Sequence, residues 1–439
     1  MVFFWKLVLN IFFRNIQAIG EEKLPKDCPM LFVSNHTNAI LDPFVILAAL
    51  QKPIVPTAKF TLLKNPLLWC LLKSHRAIMF NRSQDKSNMQ SLRLNIASFK
   101  ECVKVFMRNE HLCIFPEGQS HSEIKMLPFK TGAARIALMY HKENPSGKPL
   151  KIVPVGLFYD EKHKFRSRVA VQIGDVLDVS EWVRSNTGQG PKELTIEIEK
   201  MVEDVVLTFE QTRDSVIVPW VADLLLGKGK YPARIGEKEP FPDNYISTVK
   251  RLEKEYSNLR DKQEIKELED DIVKLRQNLH ANGLNLNDIH LPINIAKALF
   301  FVFREVEILV GGFGLFLLGR LIHFCPLNIL IQIVNKYSID EDHWATNYVL
   351  FGMVEFFIFY LIVAISLAFV NLYLFAMSLV ILPYLGYFSI LYAERTKKSI
   401  KRTKTFFLFL FNKKLQEELC TQTEDIVKSI ENIRKSYLS

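Results

Sequence analysis

From Met30 to about Gly174, short apolar runs alternate with longer stretches of helical period. MLFVS, HLCIFP, KIVPVGLF and RVAVQIG are short, rich in β-branched or aromatic residues and bounded by turn residues, which predicts buried strands. Helical periods fall near 43–50, 86–109 and 129–142, so the expected class is α/β, a mixed sheet covered by helices. Residues 192–226 continue as helix up to Gly227, where GKGKYPARIGEKEPFPDN collects the glycines, prolines and charges of a connector. Beyond it Leu252, Leu259, Leu268, Ile272, Leu275 and Leu279 fall at three- and four-residue steps in a highly charged segment. With only about two clean heptads, a helical hairpin packing on the catalytic domain is expected rather than a dimeric coiled coil.

After Leu291 the pattern becomes almost continuously apolar. Residues 348–370 carry one charge, Glu355, and residues 372–392 carry none. A run of about 20 apolar residues crosses the hydrocarbon core, so a transmembrane hairpin over about 348–392, turning near Asn371, is predicted. An earlier run, 308–334, is interrupted by Arg320, His323 and Pro326 and reads as a re-entrant or interfacial element. Six Lys or Arg residues follow the hairpin between 395 and 404, which assigns that end, and the catalytic domain with it, to the cytosolic face. At the N-terminus Lys6, Asn10 and Arg14 recur every four positions among Phe3, Phe4, Trp5, Val8, Leu9, Ile11, Phe12 and Phe13. One narrow polar stripe on a broad apolar helix suits a bilayer interface, or else a helix buried in the globular domain.

The expected division is an interfacial helix at 1–20, a catalytic domain at 21–226, a connector and charged helical segment at 227–290, a membrane domain at 291–395 and a basic cytosolic helical tail at 396–439. Composition agrees with a mixed protein: 33 Phe and a slightly positive mean hydropathy accompany 23% charged residues. The net charge of +9 allows nucleic acid, anionic lipid or a phosphorylated substrate as partner. Dispersed basic residues and the lack of a recognised binding motif argue against nucleic acid. The six cysteines are scattered, with no C-x-x-C pair, so neither a zinc site nor a disulfide framework is indicated.

Four strings carry chemistry. FVSNHTNAILDPF, residues 32–44, follows a strand and precedes a helix, where α/β folds expose reactive groups. Asp42, six residues after His36, can orient the imidazole and stabilise its cation while His36 takes a proton from a hydroxyl. The plainer alternative makes Asp42-Pro43 a helix start and His36 a hydrogen-bonding side chain at the strand end. FPEGQSHSEIKMLPFKTG, residues 115–132, offers a tight turn followed by donors to an anion, with Glu117 readable as a turn carboxylate. RAIMFNRSQD, residues 76–85, carries Arg82, a planar donor for phosphate or a solvated charge. IVPVGL, residues 152–157, is an apolar strand containing a proline.

In this order the four strings resemble the glycerolipid acyltransferase family of the bacterial PlsC type, over roughly residues 20–215. The resemblance implies that His36 is the general base and Asp42 its partner. Arg82, Glu117 and Gly118, with Ser120, His121 and Lys130, would bind the phosphate-bearing acceptor, and Pro154 would line the acyl-donor side. Two departures stand out. Five residues separate His36 from Asp42 where the family usually has four, and Phe-Pro-Glu-Gly-Gln-Ser-His leaves Ser120 where an arginine is usual. Both are similar to the branch acting on glycerol 3-phosphate or dihydroxyacetone phosphate.

The implied reaction is transfer of a fatty acyl group from acyl-CoA or acyl-carrier protein to glycerol 3-phosphate or dihydroxyacetone phosphate. The thioester is a co-substrate, and no metal or bound cofactor is called for. The alternative acceptor is 1-acyl-glycerol 3-phosphate (lysophosphatidate), and the rival from another class is a non-enzymatic membrane scaffold. The implied location is a bacterial inner membrane, or the endoplasmic reticulum in a eukaryote, with the lipid bilayer as a partner.

Overall fold

The computed structural model describes residues 1–81, 88–227, 241, 242, 244–291, 293, 295–338 and 341–437. It divides into two compact units: Met1–Thr208 with Ser338–Val349, and Phe209–Tyr337 with Leu350–Ser439.

The first unit is built on an eight-stranded mixed sheet. In chain order its elements are α1 (Val2–Phe12), β1 (Asn15–Ile19), β2 (Met30–Ser34), α2 (Leu41–Leu50), β3 (Ile54–Lys59), α3 (Pro66–Ser74), β4 (Ile78–Phe80), α4 (Asn88–Met107), β5 (His111–Ile114), α5 (Gly132–Glu143), β6 (Lys151–Tyr159), β7 (Arg168–Ile173), β8 (Leu177–Asp178), α6 (Val179–Ser185) and α7 (Pro191–Glu203). The strands lie in the order β1-β7-β6-β2-β5-β3-β4, with β8 beside β6. All pair in parallel except β6, which runs antiparallel to β7 and β8.

The four strands anticipated from their apolar runs are β2, β5, β6 and β7. β1 and β3 escape that reading because NIQAI and IVPTAK are broken by polar residues or proline, and β4 because IMF is only three residues long. Central β2 is buried at every position, as a strand covered on both faces must be. Leu31 and Val33 join Ala134, Ile136 and Ala137 of α5 and Leu194, Ile198 and Val202 of α7 in one core cluster. The other face is closed by α2, nine of whose ten residues are buried.

α1 packs on α2. Trp5, Leu9 and Phe12 are buried, Trp5 stacks on Phe44 with ring centroids 3.9 Å apart, and its indole donates to Nε2 of His75 at 2.8 Å. Burial holds the His75 imidazole below its usual pKa, consistent with a neutral ring accepting that bond. The opposite flank leaves Met1, Phe3, Phe4 and Leu7 exposed, Phe3 at 79%. One apolar face of this helix is therefore core, and the other is bare.

The second unit is helical: α8 (Asp214–Leu225), α9 (Tyr245–Leu259), α10 (Gln263–Ala281), α11 (Ile295–Ile322), α12 (Phe324–Tyr337), α13 (Glu341–Ala368), α14 (Leu372–Phe411) and α15 (Lys413–Tyr437). α8, placed by pattern with the catalytic domain, belongs here because its buried Ile217, Val218 and Val221 pack beside α9. α9 and α10 follow each other across a short turn, where the Tyr256 hydroxyl donates to Glu269, and α15, whose Leu419, Ile426 and Ile430 are buried, packs beside α10.

His343–Ala368 and Leu372–Phe411 are long and apolar enough to cross a bilayer. They turn at Asn371, whose side chain accepts from the Tyr373 amide at 2.7 Å and caps α14. α14 runs unbroken through the basic stretch, beyond the 372–392 limit of the apolar pattern. Val302–Ile322 and Phe324–Tyr337 meet at a 54° bend at His323, the interruption visible in the sequence. Glu305 is buried between Arg395, which donates twice at 2.8 and 2.9 Å, and Ser399 at 2.9 Å, tying α11 to α14.

Gly156, inside β6, lies so close to the end of α7 that a Cβ there would meet the Val205 carbonyl oxygen at 2.0 Å. Gly156→Ala is expected to cost about 3 kcal/mol, the upper range for overpacking, whereas Gly132→Ala, with open space around it, should leave thermal unfolding unchanged; paired melting curves of the detergent-solubilised protein check both.

Candidate active site

Topology locates the site. From β2 the chain passes through α2 on one face to β3, two places along the sheet; from β5 it passes through α5 on the other face to β6, in the opposite direction. Right-handed crossovers in opposite directions leave a crevice where the order reverses, at the C-terminal ends of β2 and β5. His36 follows β2 and Glu117 follows β5, so the two strings meet there.

The His36-to-Asp42 segment folds into a tight loop. Asp42 lies in the first turn of α2, yet its carboxylate reaches back past the helix start. Oδ2 accepts from Nδ1 of His36 at 2.8 Å and from the amides of Thr37 and Asn38, each at 2.9 Å. Oδ1 accepts from the Tyr159 hydroxyl at 2.7 Å. The carboxylate is fully buried, with four donors. The helix-start alternative fails: α2 is preceded by Ile40 with no side-chain cap. The extra residue between His36 and Asp42 is absorbed at a turn where Ala39 adopts φ 41°, the left-handed region. From α13, Thr346 Oγ1 lies 3.5 Å from the Asn38 carbonyl.

Glu117, 3% exposed, takes a supporting position. Its Oε1 accepts from the His36 amide at 3.2 Å, and Oε2 meets Nε2 of His121 and the Leu127 amide. Burial raises its carboxyl pKa while His121 pulls the other way. The His121 amide donates to the His36 carbonyl at 3.1 Å, so the two loops are laced in both directions. The His36 ring lies flat on Phe115, centroids 4.2 Å apart and planes 18° apart. Gly118 closes the 115–118 turn with φ 76°, and a Cβ there would meet Lys130 Nζ at 2.6 Å.

His36 opens onto a cleft of about 670 Å³, the size of a small-molecule site. Its lining includes apolar Ile40, Phe44, Leu62, Leu72, Ile96 and Phe99 together with Lys59, Ser120, Lys130, Thr131, Gly132 and Arg135. Thr131 precedes the 12-residue α5 without a side-chain cap, and it lines the cleft with Gly132, so the positive end of the helix dipole lies at the cleft wall, where negative charge is favoured. Arg135 is held by its Nε–H donating to Thr131 Oγ1 at 3.0 Å.

The structure therefore brings His36, Asp42, Glu117, Gly118, Ser120, His121 and Lys130 together, Glu117 and His121 as a brace and Ser120 and Lys130 on the cleft wall. Arg82 lies outside the described residues. Pro154 is buried in β6 beside Val33, and it is not part of the cleft lining. Sequence reading missed Lys59, Arg135 and Tyr159. Each is signalled only by its place at the end of β3, one turn into α5, or at the end of β6. Among the described residues no three His, Cys, Asp or Glu side chains converge as a metal site would require.

The site is thus a histidine held by a buried aspartate where the sheet order reverses. Residues 15–157 match the Acyltransferase family model. The chain is similar to glycerol-3-phosphate O-acyltransferase 1 of Saccharomyces cerevisiae, 25% identical over 421 residues that cover 75% of this chain and 54% of the yeast protein. It is also similar to the 1-acyl-sn-glycerol-3-phosphate acyltransferase of Borreliella burgdorferi, 28% identical over 185 residues, 40% of this chain and 70% of that one. The crystal structure of the 1-acyl-sn-glycerophosphate acyltransferase PlsC from Thermotoga maritima aligns with TM-score 0.34 and 20% identity, covering 46% of this chain and 76% of that one. The chain spans about half the length of the yeast relative.

Glu117→Ala leaves the buried His36 amide without an acceptor and is expected to cost about 2 kcal/mol. Glu117→Gln keeps an oxygen for that amide and should cost less than half as much. Urea denaturation of the two variants beside the parent gives the comparison.

Proposed function

We propose that this protein is a membrane-bound O-acyltransferase that moves a fatty acyl group from acyl-CoA or acyl-carrier protein to the hydroxyl of glycerol 3-phosphate or dihydroxyacetone phosphate. The observation that carries this reading is His36 on the cleft wall with Nδ1 engaged by Asp42. That bond fixes the tautomer and leaves Nε2 for the acceptor hydroxyl.

In this mechanism Nε2 of His36 takes the hydroxyl proton as the oxygen attacks the thioester carbonyl. The tetrahedral intermediate collapses, expelling the thiolate, which takes up the proton carried by His36 and leaves as thiol. Asp42 stabilises the imidazolium between these steps. Lys130, Arg135 and the first turn of α5 supply the positive surface for the acceptor phosphate, in a sequence where Ser120 stands in place of the usual arginine. The apolar lining of the cleft suits the acyl chain.

The similarity to the yeast enzyme over most of this chain supports a glycerol 3-phosphate acceptor. 1-Acyl-glycerol 3-phosphate is the second reading, favoured by the similarity to the bacterial 1-acyl-sn-glycerol-3-phosphate acyltransferase. The hairpin of α13 and α14 anchors the chain in the bilayer, and the bare flank of α1 lies against its surface. The six basic residues between 395 and 404 support a cytosolic location for their end.

Purified protein given acyl-CoA and each phosphate acceptor in turn is expected to turn over glycerol 3-phosphate or dihydroxyacetone phosphate faster than the lyso-lipid. No turnover of any of them would defeat the proposal. His36→Ala should lower kcat at least ~10²-fold; a non-enzymatic scaffold predicts that it restores a deletion strain as well as the parent does. Asp42→Asn keeps an oxygen for the loop amides and removes the charge. It should fold with a near-parental melting temperature yet lose roughly 10²- to 10⁴-fold in kcat.

A further inference from the structure

Tyr159 ends β6, and the geometry places its phenol on the far side of Asp42 from His36. In the register of β6 with β2, Val155 lies beside Ser34. Both chains then run on past the sheet, stitched by Asn35: its Oδ1 accepts from the Leu157 amide at 2.8 Å, and its Nδ2 donates to the Leu157 carbonyl at 3.2 Å. That ladder presents Tyr159 to the loop that holds His36. The ring packs against Phe13, centroids 5.7 Å apart, which fixes its approach.

We infer that Tyr159 is a positioning residue for acyl transfer: its hydroxyl clamps Oδ1 of Asp42, so that Oδ2 stays aimed at His36 and the carboxylate charge is shared between imidazole and phenol. The inference rests on His36 acting as the base proposed above. Two physical points support it. The carboxylate is wholly buried, and each of its oxygens is donor-bound; without the phenol, Oδ1 would have no donor among the described residues. Burial and the Asp42 charge also raise the Tyr159 pKa well above its usual value, so the phenol stays a donor throughout the working pH range.

Loss of the hydroxyl has a definite sign. The donor to Oδ1 draws charge from the carboxylate, so removing it makes Asp42 a stronger partner for the imidazolium. Among the described residues, the other titratable or charged groups around the His36 loop and cleft are Glu117 and His121 after β5, Lys162 beyond β6, Lys59 at the end of β3, Lys130 and Arg135 at α5, and His343 in α13. All of them remain in a Tyr159→Phe variant, which also keeps the ring packed on Phe13.

Tyr159→Phe is therefore expected to lower kcat 10- to 100-fold with both KM values within twofold of the parent. The acid limb of kcat/KM should move up by about one pH unit. The second measurement needs no turnover: carbethoxylation of His36 by diethyl pyrocarbonate, followed by peptide mass spectrometry across pH, should show the same upward shift in its midpoint. An unchanged midpoint overturns the inference, whether kcat is parental or reduced, since a fall in rate alone would mark a merely structural tyrosine. An upward midpoint shift in a protein whose parent acylates no acceptor supports the clamp and instead overturns the acyltransferase reading.

Discussion

The Asp42 carboxylate organises the site. It is one buried charge with four donors: an imidazole, two consecutive amides and a phenol. A buried carboxylate without partners costs several kcal/mol, so the fold must deliver those donors together. Delivery comes from two places, the loop after β2 and the end of β6, onto a carboxylate carried in the first turn of α2. The loop closes only because Ala39 accepts a left-handed backbone conformation. The geometry of His36 is thus a by-product of satisfying a charge, and the imidazole is held where the loop amides and β6 together require it.

The sheet explains why a second string converges on the same point. β2 and β5 are neighbours whose following connections leave in opposite directions, so the loops after them face each other across the crevice. Glu117 uses that proximity from behind, accepting the His36 amide, while His121 donates back to the His36 carbonyl. With Phe115 stacked on the ring, the imidazole is fixed through its backbone, its face and its Nδ1. The edge bearing Nε2 is the one left for chemistry.

How much of this was legible follows from what each pattern encodes. β2, β5, β6 and β7 announce themselves because buried strands are runs of apolar residues, and the membrane hairpin does so because the bilayer demands length. β1, β3 and β4 lie toward the ends of the sheet order; polar residues or proline break NIQAI and IVPTAK, and IMF is too short to show a period. The His36–Asp42 pair was readable as a spacing, but the turn at Ala39 was not, since nothing in Thr-Asn-Ala-Ile marks a positive φ. Lys59, Arg135 and Tyr159 were invisible for a different reason. Each is an ordinary residue of its element, made special only by where the sheet order brings that element. Glu117 sat in the right string, yet its burial behind the His36 amide depends on the neighbouring loop and could not be read locally.

The missing arginine at Ser120 then finds a physical account. Under the proposed reaction an acceptor phosphate would need positive charge near His36, and a guanidinium after the Pro-Glu-Gly turn is one way to supply it. Here the turn at Gly118 leaves room for the Lys130 side chain, whose Nζ comes within 2.6 Å of where a Cβ at Gly118 would stand. Arg135 follows one turn into α5, held to Thr131, and the helix adds its own positive end. Charge has moved from the turn to the helix it leads into, keeping the cleft cationic there. Glycine at 118 is then required twice over: its φ of 76° closes the turn, and its missing side chain admits the lysine.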